Sequence, residues 1–334
     1  MGHVVKFHQL DPAHHAQRAL IGQLCLRKVN ACRSVLLKTE EISSKHRTSE
    51  VELLAGDDDL DVTVVENRFK YRVDLKMAFF NVRLATEHEK MVNDIPPGSI
   101  VYDACAGVGP FCIPLAARKG GGAVTVLAND VNPHAIECLR ENARLNKAEK
   151  GLHSAHALDA AEFIRTVLKK DMEERLSTFE FDGRPLRFFA LMNLPGLAVT
   201  FLPHFVQLLD PNCLPRNASS PQDPQQLFSL TIYCYTFVKT NQLFSDCRSS
   251  PEKAAVRLAI EQLTSTGPPV DYNGRMTARR VRNVAPNKEQ LVVKVEMPLE
   301  ALLCSPEGPL TSSTSEDSEA LTEEEPESKR QRML

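Results

Sequence analysis

The sequence predicts an α/β fold organised on a mostly parallel sheet, and three observations carry that prediction. First, residues 99–130, SIVYDACAGVGPFCIPLAARKGGGAVTVLAND, contain an apolar run at 100–102 ending on Asp103, a turn with Gly107 and Gly109, a helical pattern from Pro110, and a second apolar run ending on Asp130. That order is the sequence form of a strand, a tight turn, a helix and a second parallel strand. Second, later apolar runs end at Asp159 and Asn193 with a helical pattern between them, repeating the alternation. Third, residues 276–284 and 290–297 read as a closing hairpin around Ala285-Pro286-Asn287.

The glycine turn decides the ligand class. Glycine lets backbone N–H groups approach a ligand closely, and Pro110 suits the first turn of a helix, where no N–H is needed. Asp130, about 20 residues past the turn, is placed to accept hydrogen bonds from two ribose hydroxyls. A dinucleotide fingerprint requires a third glycine where Cys112 stands. Asp103 would repel a pyrophosphate but could pair with an amino group. S-adenosyl-L-methionine has that cation, has the ribose and lacks the phosphate. A lone Gly-x-Gly would only make a turn; Asp103, Gly107, Gly109 and Asp130 together point to this cofactor. Asn132 can cap the next helix, with Pro133 at its first position. Asp159 can receive the exocyclic amine of an adenine. In open α/β sheets ligands bind outside the carboxyl ends of the strands, and Asp103, Asp130, Asp159 and Asn193 all stand at such ends. Asn193 offers one acceptor and one NH2 donor to a planar substrate bearing an N–H.

Composition narrows the class. The chain has 334 residues, 43% of them hydrophobic, enough for one large domain and a smaller one. No uninterrupted apolar run is long enough to span a bilayer, and residues 1–10 lack the apolar stretch of a secretory signal. The nine cysteines, none paired as C-x-x-C, are therefore expected to be reduced, and Cys105 and Cys112 to pack beside the turn. His3, His8, His14 and His15 lack helical i,i+4 spacing, so no metal is expected. The net charge of −3 hides an uneven distribution: Ser305–Leu334 carries eight acidic and three basic residues, which leaves the remainder at +2. A mildly basic body permits RNA binding.

Four segments follow from these patterns: a small α+β domain at 1–78, a linker helix at 79–97, a catalytic domain at 98–300 and a disordered acidic tail at 301–334. Within the first, 51–54 reads as a strand and 61–75 as two strands turning near Glu66-Asn67. Arg83 and Glu87 lie one helical turn apart, as an ordinary surface ion pair would. Helical patterns cover 133–143, with Ile136, Leu139 and Ala143 inward, then 159–176 and 251–263; strands are expected at 187–192 and 230–238. Residues 211–226 read as a surface loop. Arg275, Arg279, Arg280 and Arg282 make the closing hairpin the most basic neighbourhood, fit to contact phosphates or to solvate one face.

Six motifs together carry a resemblance: NVRLATEH at 81–88, DACAGVGPF at 103–111, NDVNPHAIE at 129–137, MNLPG at 192–196, YCYTF at 233–237 and VRNVAPNKEQL at 281–291. They resemble the Trm5-type tRNA guanine-N1 methyltransferases, which act on guanosine 37 beside the anticodon. The resemblance implies a class I methyltransferase domain, a Rossmann-like seven-stranded sheet with one antiparallel strand in the final hairpin, preceded by a small domain. It implies S-adenosyl-L-methionine as cofactor, tRNA as partner and no metal; the apolar runs predict no membrane span, Lys329-Arg330-Gln331-Arg332 is a basic cluster pointing to nuclear import, and a monomer resident in cytoplasm and nucleus or the mitochondrial matrix is expected. It also implies an amino-terminal domain gripping the tRNA elbow, which the chain as read lacks. Catalytic roles pass to Arg47, placed by its nine-residue offset to Gly56, as the cation at guanine O6; to Glu87 as the carboxylate taking the N1 proton; and to Asn193 as the residue positioning the base. The cofactor set becomes Arg83, Asp103, Gly107, Gly109, Asp130, Asn132, Asp159 and Asn193. A methyltransferase for another ring or amide nitrogen, and a non-catalytic RNA-binding relative that keeps the cofactor pocket, are the alternatives.

Overall fold

The structure is a computed structural model that describes residues 2–38, 51–215, 223, 226–239, 250–266 and 269–304. The chain opens with β1 (Val4–Phe7), a 3-10 turn (Pro12–Gln17), α1 (Arg18–Lys28), β2 (Ser34–Lys38) and β3 (Val51–Gly56). The three strands form a small sheet in the order β1-β2-β3. A separate hairpin follows, β4 (Asp61–Glu66) and β5 (Phe69–Asp74). Its two-residue connection, Asn67-Arg68, has both φ angles positive at 48° and 72°, the twist that two-residue hairpins favour. Alternation in β4 buries Val62 and Val64 and exposes Thr63 and Val65. Within the segment expected as a linker helix lies α2 (Ala85–Asp94), entered through a 3-10 turn at Val82–Leu84.

The larger sheet is assembled from β6 (Ile100–Asp103), β7 (Thr125–Asn129), β8 (Leu152–His156), β9 (Leu186–Met192), β10 (Phe228–Lys239), β11 (Met276–Ala285) and β12 (Lys288–Glu296). Its order is β11-β12-β10-β9-β6-β7-β8. Only β12 runs against its neighbours; β10, β9, β6, β7 and β8 pair in parallel. This is the seven-stranded, mostly parallel sheet with one antiparallel strand that the resemblance implied. The helix after the glycine turn, α3 (Cys112–Ala116), is shorter than the pattern from Pro110 suggested, and a 3-10 turn at Gly120–Gly122 replaces its continuation. Then come α4 (Pro133–Leu145), α5 (Ala160–Phe163), a π-helical turn at Ile164–Leu168 leading into α6 (Lys169–Ser177), and α7 (Pro251–Thr264). Of the loop expected at 211–226, Pro211–Cys213 forms a 3-10 turn; 216–222, 224 and 225 lie outside the described residues, as does the acidic tail from 305 onward.

Strand alternation sends side chains to two cores. Tyr102, Phe188, Ala190, Ile232 and Cys234 face the α5–α7 side. Val101, Phe189, Leu191, Tyr233 and Tyr235 face the side covered by α2, α3, α4 and the β4–β5 hairpin. Ile136, Leu139 and Ala143 form the buried stripe of α4, as their spacing predicts.

The hairpin is fastened to that second face by α4. A two-stranded sheet leaves a free edge of backbone groups that must find partners. Asn142 and Asn146, one turn apart on α4, supply them. Asn142 accepts from the Arg72 N–H at 2.7 Å and donates to the Arg72 carbonyl at 3.1 Å; Asn146 does the same for Lys70 at 2.9 and 2.7 Å. The Asn142 amide also donates to the Val108 carbonyl at 3.0 Å, so one side chain ties the hairpin to the glycine turn. Asn142 is fully buried. Asn142→Ala strands those backbone groups away from water and is expected to lower unfolding free energy by about 2 to 4 kcal/mol. Denaturant unfolding measures this, and a loss below about 0.5 kcal/mol would show that the amide is replaceable.

Candidate functional site

The carboxyl ends of β6, β7 and β9 meet at one edge of the sheet, and the glycine turn crosses it. Gly107 and Gly109 both adopt left-handed backbone, with φ of 55° and 97°. A Cβ at Gly109 would stand 2.8 Å from Ile113, whereas nothing lies within 4 Å of one at Gly107, so the turn is open on that side. Asp130 holds the turn: its carboxylate accepts from the Gly107 N–H at 2.8 Å and from the Asn132 N–H at 2.9 Å. Asn129, fully buried, donates to the carbonyls of Ala104 and Leu158 and accepts from the Leu158 N–H at 2.9 Å. It thereby joins the loops that follow β6 and β8. Asn193 follows β9, and its Oδ1 is buried without a hydrogen-bond partner. Burying an acceptor unpaired is costly, which marks Oδ1 as waiting for a donor from outside the fold.

Asp103, expected to meet a cofactor ammonium, is instead completely buried beneath the turn. Its oxygens accept from the Cys105 N–H at 3.3 Å and the Cys112 thiol at 3.2 Å. Burial pushes its carboxyl up to about 7, against those two hydrogen bonds, which pull it down; the nearby Asp130 charge adds to the rise.

Glu87 occupies the third wall. It projects from α2 into the sheet and is only 7% exposed. The Tyr235 hydroxyl donates to Oε1 at 2.6 Å, and Arg279 grips both oxygens, Nη2 to Oε1 at 2.7 Å and Nη1 to Oε2 at 2.6 Å. Burial and the adjoining Glu87 carboxylate push the Tyr235 phenol well above its ordinary value, so it acts as a donor. The surface pair expected between Glu87 and Arg83 does not form. Arg83 lies in the 3-10 turn before α2 and stays exposed, while Glu87 points inward to Arg279. Beyond the last paired residues of β9 and β10, Met192 and Cys234, come Asn193 and Tyr235. The carboxylate and the unpartnered amide oxygen are thus served by adjacent strands. A cavity of about 200 Å³ opens over Glu87, lined by Arg83, Lys90, Arg279, Arg280 and Arg282.

The other expected site residues are placed as follows. Asn132 spends its side chain on the fold: Oδ1 caps α4 through the His134 N–H at 3.1 Å, and Nδ2 donates to the Met77 carbonyl at 2.6 Å. Asp159 is exposed and caps α5 through the Ala161 N–H at 2.9 Å. Arg47 lies outside the described residues. Sequence patterns alone assign no site role to Asn129 or Tyr235, and they read Arg279 only as one of four hairpin arginines that contact phosphates or solvate a face. Asn129 and Tyr235 stand inside the NDVNPHAIE and YCYTF motifs, and Arg279 two residues before VRNVAPNKEQL, but only tertiary structure reveals their partners. Among the described residues, no cluster of His, Cys, Asp and Glu could hold a metal ion, and no helix is long and apolar enough to cross a membrane.

Comparison with known proteins places this arrangement. Residues 62–179 match the TRM5/TYW2 methyltransferase domain, and residues 1–59 the TYW2 N-terminal domain. A Danio rerio protein named tRNA (guanine(37)-N(1))-methyltransferase is 35% identical over 302 residues, 89% of this chain and 55% of its own length. The chain spans about half the length of such curated relatives. Among solved structures, Trm5b from Pyrococcus abyssi superposes with a TM-score of 0.60 at 23% identity, over 89% of this chain and 73% of that one. The aTrm5–tRNALeu complex gives the same TM-score and identity, covering 89% and 70%. These structures share the fold.

The elevated Asp103 carboxyl makes a signed prediction for the ligand-free protein. From about pH 4, where the unfolded carboxyl titrates, to about 7, the folded state holds a proton that the unfolded state releases, so stability falls as pH rises. Asp103→Asn removes that loss. Between pH 5 and pH 8 the variant is expected to gain a few kcal/mol on the wild type, because a bound proton weakens by about 1.4 kcal/mol for each tenfold fall in proton concentration. Denaturation at both pH values measures it, and a difference independent of pH would mean that Asp103 ionises normally.

Proposed function

The chain belongs to the TRM5/TYW2 methyltransferase family, and from that premise we propose that it transfers a methyl group from S-adenosyl-L-methionine to N1 of guanosine 37 in tRNA. The relatives that it matches over nearly its whole length carry that name. The observation that carries the reading is the amide oxygen Asn193 Oδ1, buried at the carboxyl end of β9 with no hydrogen-bond partner among the described residues, and Glu87 adds a shielded carboxylate held by Tyr235 of the adjacent strand β10.

The residues present fit the cofactor. The left-handed turn at Gly107 offers open backbone, and Asp130 borders it with a carboxylate suited to ribose hydroxyls; Arg83, also expected to meet the cofactor, lines the cavity over Glu87. The cofactor supplies an electrophilic methyl group on a sulfonium. Asp103 lies beneath the turn and does not reach the surface, while Asn132 and Asp159 support the site by capping the helices that border it.

Guanine chemistry explains what the remaining residues do. N1 carries a proton, and its lone pair becomes available only as that proton leaves. Glu87 would take that proton onto a carboxylate oxygen, which frees the N1 lone pair to accept the methyl group that the bound cofactor would supply. Asn193 Oδ1 accepts an N–H of the base and fixes its plane. Charge that accumulates toward O6 calls for a cation, the role assigned to Arg47. Tyr235 keeps Glu87 oriented throughout, because its phenol can donate to the carboxylate and does not compete for the proton.

The test is transfer of labelled methyl from S-adenosyl-L-methionine to tRNA transcripts bearing G or A after the anticodon; transfer to G alone supports the reading, and binding without transfer contradicts it. Glu87→Gln keeps size and most packing but removes the base. Its single-turnover rate is expected to fall by about 10²- to 10⁴-fold with cofactor affinity little changed. A wild-type rate in that variant would hand the proton to another group.

A further inference from the structure

Glu87 is held shut in the free protein. Its two oxygens carry three short hydrogen bonds, two of them from one guanidinium, and a carboxylate so engaged must shed a donor before it can accept a proton from a base. Tyr235 is fully buried and fixed, so the donor able to leave is Arg279, whose side chain is 26% exposed.

Arg279 also borders a place built for anions. It belongs to β11, the edge strand of the sheet, which bulges between Arg280 and Arg282. The bulge breaks strict alternation between Arg280 and Arg282, and Arg279, Arg280, Val281 and Arg282 all line the cavity over Glu87. Arg83 and Lys90 complete its rim, and Glu87 is the one carboxylate among its lining residues. The crowding is felt: burial and then the neighbouring Arg83 pull the Arg282 guanidinium below its ordinary value. Arg280 is drawn aside to Glu289 at 2.6 Å, and Arg282 donates to Gln290 at 3.0 Å. An entering phosphate would meet converging positive charge, and the guanidinium nearest the carboxylate would gain a second anion to grip.

We propose that Arg279 is a substrate-operated latch, a positioning residue that clamps Glu87 in the free protein and releases it by moving onto a backbone phosphate of the RNA in the adjoining basic cavity. The latch rests on the methyltransferase reading above and adds to it a reason why the base is withheld until RNA is seated. Release leaves Glu87 with the Tyr235 hydrogen bond alone, oriented and able to take the N1 proton.

The experiment is single-turnover methyl transfer by the 334-residue chain to a guanosine-bearing anticodon stem-loop in which each linkage near the target is replaced in turn by an uncharged methylphosphonate. Transfer by the wild type to the native stem-loop is the control, and its absence overturns the methyltransferase reading and the latch with it. With transfer present, neutralising one particular linkage is expected to slow the saturated wild-type rate by about tenfold or more. In Arg279→Ala the same neutralisation should change the saturated rate by less than about twofold, while KM for native RNA rises by about tenfold. Arg279→Lys keeps a charge for the phosphate but cannot span both carboxylate oxygens; it tests the latch even if the alanine variant folds poorly. Its saturated rate should be equally indifferent to the neutral linkage, with KM for native RNA within about threefold of wild type. Three results overturn the latch and leave the methyltransferase reading standing: a slowed rate at unchanged KM in Arg279→Ala, a neutral linkage that slows variants and wild type alike, or a wild type indifferent to every neutral linkage.

Discussion

One carboxylate holds together the carboxyl edge of the larger sheet. Asp130 accepts from Gly107 on one side and Asn132 on the other, so the turn, the end of β7 and the start of α4 are fixed relative to each other by two charge-assisted hydrogen bonds. The left-handed conformation at Gly107 is what aims that N–H at Asp130. Asn132, held in place, caps α4; α4 in turn carries Asn142, whose amide returns to Val108 inside the same turn. The turn is therefore pinned from below by a charge and from the side by an amide, and its open face is left for a ligand. Removing the charge should loosen every later part of that circuit.

The second constraint is the burial of ionisable groups on α2. Glu87 and His88 are consecutive, and both are buried because each has a partner supplied by a different element. His88 pairs with Glu66 of β4 at 2.6 Å, and its ring meets Phe111 edge-on at 5.0 Å. Phe111 in turn packs on Tyr235, centroids 6.1 Å apart, and Tyr235 donates to Glu87. The carboxylate is thus built into the same aromatic packing that backs the glycine turn. Clamping by Arg279 satisfies the buried charge when no substrate is bound, and removing one partner of such a pair costs more than the pair itself contributes.

Much of this architecture is legible in the sequence because it rests on local rules. The glycine turn, the Pro133 helix start, the hairpin at 61–75 and the closing hairpin each follow from residues within a few positions, and all stand in the structure. Asp130 and Asn193 follow from a topological rule, that strand ends face the ligand crevice. The misplacements have one cause: a side chain's neighbours across the fold. Spacing pairs Glu87 with Arg83, but packing turns Glu87 inward to a guanidinium 192 residues away. Asp103 reads as a ligand contact by position, yet Cys105 and Cys112 close over it. The cavity that three arginines of β11 line together with Glu87 leaves no mark in a strand pattern, so the basic hairpin is visible in the sequence and its target is not.

The central claim is that the edge organised by Asp130 is the cofactor site. Calorimetric titration of the ligand-free protein with S-adenosylhomocysteine, comparing wild type with Asp130→Ala, tests it most directly. The account predicts binding weakened by about 1 to 3 kcal/mol, because ribose hydroxyls lose a charged acceptor and the turn loses its fastening. An unchanged dissociation constant in a variant that is still folded would contradict it.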